Sequence, residues 1–298
     1  MYQLLVLLTG ILTSVMISIN GELASQYDVF FASAVIHLVG SVFAIILCAL
    51  QKEKKPLLHH TPKWIYLGGA IGVITTVFQN LACSLINMTS IVALGLLGET
   101  VISLFIDGFG LFGMKKQPFR KTSIIGLVFA LAGIVIMLDS SVTTAIIGIV
   151  VAFIPGITKV LSRTVNARLA EKTGALRSSL INHLVGLPIT VIMALFLTSK
   201  DTVSLSVISN SKPWIYFGGF FGVAVILLLN VTVPKVSAFK LTVLSFVGQI
   251  FAGFLIDLMV GNPFDSSFFG GLVVSVGIAL NFAVEAFENR RSKKEAAV

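Results

Sequence analysis

The chain has 298 residues, 56% of them hydrophobic and only 11% charged, where an average soluble domain carries roughly 25% charged residues. This composition excludes a water-soluble globule and indicates an all-α integral membrane protein. The net charge of +8 does not mark nucleic acid as a partner, because the basic residues are spread over several short loops, as topology signals and contacts to anionic headgroups are.

In chain order, ten stretches have the roughly 20 mostly apolar residues that a helix needs to cross the hydrocarbon core of a bilayer. They run over about 3–24, 28–50, 63–86, 89–112, 122–139, 142–162, 176–198, 213–233, 236–260 and 267–287. The first lacks a basic leader and a small-residue cleavage pattern, so it is expected to be a retained span. If the termini and the even-numbered connections share one side, all but Lys200 and Lys212 of the 21 Lys and Arg residues fall on that side. Cytoplasmic loops collect such residues. The expected topology is therefore ten transmembrane helices with both termini cytoplasmic, in the plasma membrane or, in a bacterium, the inner membrane. Cys48 and Cys83 lie inside apolar stretches and are expected to act as small hydrophobes. No pattern for a cofactor, metal or disulfide framework is visible.

The chain repeats itself. A shift of 146 sets "HLVG" (37–40) on "HLVG" (183–186) and "INGELA" (19–24) on "VNARLA" (165–170). A shift of 150 sets "WIYLGGAIGV" (64–73) on "WIYFGGFFGV" (214–223), Asn80 on Asn230, Glu99 on Gln249 and Asp107 on Asp257. The expected units are residues 1–140 and 141–298, five spans each. An odd span count inverts the second unit in the membrane, and inverted five-helix repeats are the means by which many secondary transporters open one site to alternate sides.

The paired "N-x-x-L-A", the histidine in each second span and the "W-I-Y-x-G-G-x-x-G-V" of each third span resemble the YdcZ-like branch of the drug/metabolite transporter superfamily, here as a tandem with the EamA-like fold. The resemblance covers nearly the whole chain. It implies that spans 1–4 and 6–9 surround a central cavity while spans 5 and 10 pack behind. The halves depart from one another at Glu22, which stands where the second half has Arg168. Small multidrug-resistance relatives carry a coupling glutamate in the middle of their first span. Glu22 lies at the outer end of span 1, so that role does not transfer to it.

Ionisable groups inside a bilayer cost about 2.5–3.5 kcal/mol on insertion scales and are functional candidates by default. Glu99 is about ten residues into span 4, hence about 15 Å deep, and Gln249 is its counterpart on span 9. Spacing by four predicts polar stripes of Gly95, Glu99, Ser103 and Asp107 on span 4 and of Ser245, Gln249, Gly253 and Asp257 on span 9. Span 2 offers Ser33, His37 and Ser41, and span 7 offers Ser179, His183, Gly186 and Thr190; all four stripes are expected to face a wet cavity. A glutamate beside a histidine suits proton coupling; the alternative is that Glu99 is a protonated helix–helix hydrogen bonder. Each histidine either contacts substrate or satisfies a backbone carbonyl. Asn20 with Asn166, and Asn80 with Asn230, are substrate contacts or interhelical glue. Asp107 and Asp257 are expected to cap or neutralise helix ends. Gly68 with Gly72, and Gly218 with Gly222, have small-xxx-small spacing and are expected to pack at a crossing of spans 3 and 8. Pro155 is expected to kink span 6, and Lys159 and Arg163 to snorkel to the cytoplasmic surface, with an anionic substrate or Glu99 as alternative partners.

These features predict a secondary transporter that moves a small polar or amphipathic metabolite or cation by alternating access, with protons as a candidate coupling partner at Glu99. A non-transporting membrane subunit is the alternative. A membrane-embedded enzyme is the weakest, since no catalytic constellation is visible. Substrate identity, direction of transport and oligomeric state are not encoded in any motif found.

Overall fold

The computed structural model describes residues 2–51, 62–109, 111, 128–129, 131–133, 135–136, 142–199, 212–232, 238–262, 264 and 266–295, and these form helices and no strand. Spans 1 to 4 are α1 (Tyr2–Gln26), α2 (Val29–Leu50), α3 (Gly68–Cys83) and α4 (Met88–Phe109). Spans 6 to 10 are α5 (Val142–Thr173), α6 (Ala175–Leu197), α7 (Gly218–Thr232), α8 (Ala238–Val260) and α9 (Ser266–Glu295). Most of span 5 lies outside the described residues. Among the described residues, seven helical stretches are long and apolar enough to cross a bilayer, and parts of α4 and α8 form shorter apolar helices. The chain is an all-α membrane protein of about ten helices.

Local chemistry sets the element boundaries. Asp28 Oδ1 caps α2 by accepting the Phe30 and Phe31 amides at 2.7 and 2.9 Å. Gly174 separates α5 from α6 at φ 92°, a backbone conformation open to glycine and strained for other residues. Trp64 and Trp214 each sit in a short 3-10 turn, Lys63–Tyr66 and Pro213–Phe217, ahead of α3 and α7. Both indoles are exposed, as interfacial anchors are.

The helices sort into two four-helix groups. In one, α1 packs on α7 and α8 and α2 packs on α7; in the other, α5 packs on α3 and α4 and α6 packs on α3. The groups meet where α2 crosses α6 and where α4 meets α8. α4 is the innermost helix: Ile91, Val92, Ala93, Leu94, Leu96 and Leu97 are all buried, packed with Ile17, Ala152, Phe246 and Val274 of its neighbours. A helix apolar around its full circumference needs such surroundings. α9 lies behind α4. It meets span 5 where a Cβ at Gly133 would strike Gly270 and Val274, and a Cβ at Gly277 would strike Phe129.

The contacts between helices exchange under the same shifts that relate the sequences. A side chain at Gly156 would strike the Gly95 carbonyl and the Glu99 amide, and one at Gly10 would strike the Ser245 carbonyl and the Gln249 amide. Gly98 abuts Phe153 and Gly156, while Gly248 abuts Leu7 and Gly10. Backbones come this close only where a Cβ is missing, so the repeated glycines fix the same packing in both groups.

The expected crossing of spans 3 and 8 is not what these glycines make. Gly68 faces Asn166 of α5, Gly72 faces Asn182 and Ser162, Gly218 faces Asn20 of α1, and Gly222 faces His183 and Met16. Each glycine receives an amide, a hydroxyl or a ring from the helices beside it, and the helices of spans 3 and 8 are separated by them. The polar stripe on span 9 is also absent from the lining of the cavity between the two groups. Gly253 packs on Met88 and Val92, and Asp257 is fully buried as the cap of α4. It accepts the Met88 and Thr89 amides at 2.9 and 2.8 Å and the Thr89 hydroxyl at 2.5 Å. Asp257 therefore caps a helix, and that helix belongs to the other half of the chain. The side chains of Asp107 and Ser103 lie outside the described residues.

Candidate functional site

A cavity of about 130 Å³ lies between the two groups of helices. Its lining includes the histidines of the "HLVG" pair on α2 and α6. His37 and His183 are both buried, with ring centroids 6.0 Å apart. His37 Nδ1 lies 2.9 Å from the Ser33 carbonyl and His183 Nδ1 lies 2.9 Å from the Ser179 carbonyl. A carbonyl only accepts, so each Nδ1 carries the proton and each Nε2 is left as the acceptor. The Nε2 side of each ring lies on the glycine of the opposite copy: a Cβ at Gly186 would overlap the His37 ring, and a Cβ at Gly40 would overlap the His183 ring. Thus the histidine and the glycine of the tetrapeptide serve each other across the two groups, and both rings also line the cavity.

Glu99 is buried on α4, and its position follows from the glycine contact just described. Because Gly156 lets α5 touch the α4 backbone at Glu99, Lys159, nearly one turn further along α5, reaches the carboxylate. Lys159 Nζ is 2.6 Å from Glu99 Oε1 and also donates to Gln249 Oε1 at 3.4 Å. Arg163 Nη1 is 3.9 Å from Glu99 Oε2, beyond hydrogen-bond reach. Lys159 thereby joins Glu99 to its counterpart Gln249, whose own amide donates to Ser245 Oγ at 3.0 Å. The expectation that Lys159 snorkels to the surface is overturned. α5 runs through Pro155 as one 32-residue helix, Lys159 is placed well inside it, and a buried carboxylate is nearer than water. The charged neighbours of Glu99 are these two cations rather than a histidine.

The asparagines divide. Asn166 Nδ2 donates to Asn182 Oδ1 at 2.8 Å and to Ser162 Oγ at 3.3 Å, and its carbonyl accepts Ser178 Oγ at 2.7 Å. The Asn20 amide oxygen packs on Gly218. Asn230 Nδ2 donates to the Ala175 carbonyl at 3.0 Å. Asn20, Asn166 and Asn230 line the cavity, and Asn166 and Asn230 also bond one helix to another. Asn80 is buried and does not line it. Among the described residues no group of three or more His, Cys, Asp or Glu side chains is placed to hold a metal ion.

The cavity also exposes residues that the polar stripes did not single out: Thr75, Thr76 and Gln79 of α3, Ser162 and Arg163 of α5, and Asn182 of α6. A signal for them exists in the sequence. It is the set of positions at which the two repeats, once superposed, differ in polarity.

A family model described as "Putative inner membrane exporter, YdcZ" matches the chain twice in tandem, over residues 1–136 and 147–282. A solved structure titled "Crystal structure of protein" is similar with a TM-score of 0.59 at 16% identity, covering 92% of this chain and 95% of its own, and shares the fold. No curated protein matches the chain. With both copies of the repeat matched, the chain belongs to the YdcZ family of the drug/metabolite transporters.

Proposed function

We propose that the chain exports a small polar or amphipathic solute by alternating access. The two halves, residues 1–140 and 141–298, are inverted with respect to one another, and the groups α1, α2, α7, α8 and α3, α4, α5, α6 rock about the α2–α6 crossing. Exchangeable contacts support this reading, because a molecule whose packing survives the swap of its halves has two conformations of similar energy, open to opposite sides. The observation that carries it is Lys159, which donates across the group boundary to Gln249 while paired with Glu99.

Glu99 is the proton-sensitive centre of this reading. Ionised, it neutralises Lys159; protonated, it leaves Lys159 and Arg163 both charged and their hold on the opposite group altered. The titratable groups that line the cavity are Lys159, Arg163, His37 and His183, with Glu99 paired behind Lys159. Proteoliposomes holding the purified chain, screened for solute movement under an imposed pH gradient, test the assignment. Glu99→Gln is expected to abolish the dependence on the gradient, while His37→Gln with His183→Gln keeps it. Transport by Glu99→Gln with its gradient dependence intact would sink the coupling role.

A further inference from the structure

The cavity has two unlike walls built from equivalent positions. Every lining residue on α3, α5 and α6 can be compared with its repeat mate on α7, α1 and α2. Three lining pairs are the same in both walls: Asn20 with Asn166, His37 with His183, and Gly72 with Gly222. Where the lining pairs differ, the more polar member is always on the α3–α5–α6 wall. Thr75, Thr76 and Gln79 stand against Val225, Ile226 and Leu229; Ser162 stands against Met16; Asn182 stands against Ile36; and Lys159 stands against Thr13. Divergence at random would mix the two kinds. One face has instead become the more polar and cationic, and the other, which keeps Thr13, Asn20, His37 and Asn230, the more apolar.

The charge on the polar face is not balanced. Glu99 lies behind Lys159 and compensates it at 2.6 Å. Arg163 reaches the same carboxylate only at 3.9 Å, so the pair Lys159 and Arg163 retains one positive charge against that single carboxylate. Among the described residues lining the cavity there is no carboxylate. A guanidinium held in a partly dry cleft with no hydrogen-bonded acceptor among the described residues is a receptor for an anion, since its fork of donors matches carboxylate, sulfonate and phosphate oxygens.

Resting on the exporter reading above, we infer that the solute is an amphipathic organic anion: its charged end meets Arg163 and the Lys159 side of the polar wall, and its apolar body lies on Ile36, Val225, Ile226 and Leu229. Neutral polar solutes would waste the more apolar wall, and cations would meet the uncompensated positive charge of the Lys159–Arg163 pair. The sign of the charge also matters for direction. An inside-negative membrane potential drives a monoanion outward by about 2.3 kcal/mol per 100 mV, so export of this class has a driving force of its own. The anionic amphiphile can come from the aqueous phase or from the bilayer leaflet, as a free acid or as a lipid headgroup with its chains.

Octanoate, butanoate and octylammonium are the probes. Their binding to the full-length chain is measured by calorimetry in neutral detergent, and their counterflow in phosphatidylcholine proteoliposomes. Octanoate is expected to bind, butanoate more weakly, and octylammonium not at all. Arg163→Gln is expected to weaken octanoate on the order of 10- to 100-fold, the value of a charge-assisted hydrogen bond. Leu229→Gln is expected to erase the preference of octanoate over butanoate while leaving the anion requirement. Glu99→Gln, which removes the competing carboxylate, is expected to tighten octanoate binding. If octanoate fails to bind, if octylammonium binds as well as octanoate, or if folded Arg163→Gln binds octanoate unchanged, the inference is overturned. Octanoate binding without counterflow would keep the anion site and defeat the exporter reading, whereas counterflow of octylammonium alone would do the reverse. Displacement of octanoate by phosphatidylglycerol included in the liposomes identifies the leaflet as the source; indifference to it identifies the aqueous phase.

Discussion

The two walls of the cavity have one skeleton and two chemistries. Gly10 and Gly156, and Gly98 and Gly248, make equivalent backbone contacts, and the paired "HLVG" makes equivalent glycine–histidine contacts. Yet the position that is Thr13 in one wall is Lys159 in the other. Duplication therefore preserved what packs and altered much of what faces the cavity. Packing residues constrain one another across the boundary: a change at Gly40 must be matched at His183, its partner in the opposite group. Lining residues meet the cavity on one side, and several of them, such as Thr75, Thr76 and Gln79 against Val225, Ile226 and Leu229, have changed without a matching change across the boundary. This difference predicts which substitutions act unequally on the two walls and which act equally.

The most unequal pair is Lys159 with Thr13. Lys159→Met leaves the Glu99 carboxylate buried, with Arg163 too far for a hydrogen bond, and is expected to cost about 3–5 kcal/mol of stability, as does removal of one partner from a buried ion pair. Among the described residues Thr13 donates only to the Thr9 carbonyl, at 2.8 Å, so Thr13→Ala is expected to cost about 1 kcal/mol or less. Thermal unfolding in detergent compares them. The double change Lys159→Met with Glu99→Gln is expected to recover most of the loss, because neither charge is then stranded. A double variant as unstable as Lys159→Met alone would mean that Lys159 stabilises by packing and not by pairing.

The next comparison should come out even. Gly40→Leu and Gly186→Leu each drive a side chain into a histidine ring of the other group, and overpacking of this kind costs about 1–3 kcal/mol. Equal losses in unfolding temperature are expected, partly relieved by His183→Ala for the first and His37→Ala for the second. Unequal losses, or relief by the wrong histidine, would break the two-fold account of the crossing.

How much of this was legible in the sequence follows the same division. The repeat shifts, the apolar spans and the buried glutamate are written in residue identity and spacing, so an all-α membrane fold with Glu99 opposite Gln249 could be read directly. The partner of Lys159 could not. A lysine well inside a long helix can run along the helix to water or across to a neighbour, and only the approach of α4 at Gly156 decides it. The glycine pairs on spans 3 and 8 were legible as close contacts and illegible as to which helix approaches, since small-xxx-small spacing names a face and not its occupant. Asp257 was legible as a cap, but the capped helix, α4, is 168 and 169 residues away at Thr89 and Met88, and no local pattern records such a partner.

The smallest effects belong to the ends of the walls, where the halves differ most in charge and least in consequence. Glu22 and Arg168 occupy equivalent positions. Glu22 pairs with Lys212 at 3.0 Å and accepts the Trp214 indole N–H at 3.2 Å, and the Lys212 ammonium stands 5.1 Å from the Trp214 ring centre. Arg168 pairs with Glu171 at 3.2 Å along its own helix. The side chains of Glu22 and Lys212 are 41% and 59% exposed, and exposed ion pairs contribute about 0–1 kcal/mol. Glu22→Ala is therefore expected to lower stability by no more than about 1 kcal/mol. The Glu22 carboxylate links α1 of the first half to the turn that opens α7 in the second, whereas the Arg168–Glu171 pair lies within one helix. High salt should remove most of the Glu22 effect, since exposed charges are screened over about 3 Å at 1 M. A loss that persists at 1 M salt would show that the indole hydrogen bond, and not the ion pair, ties the halves together at this end.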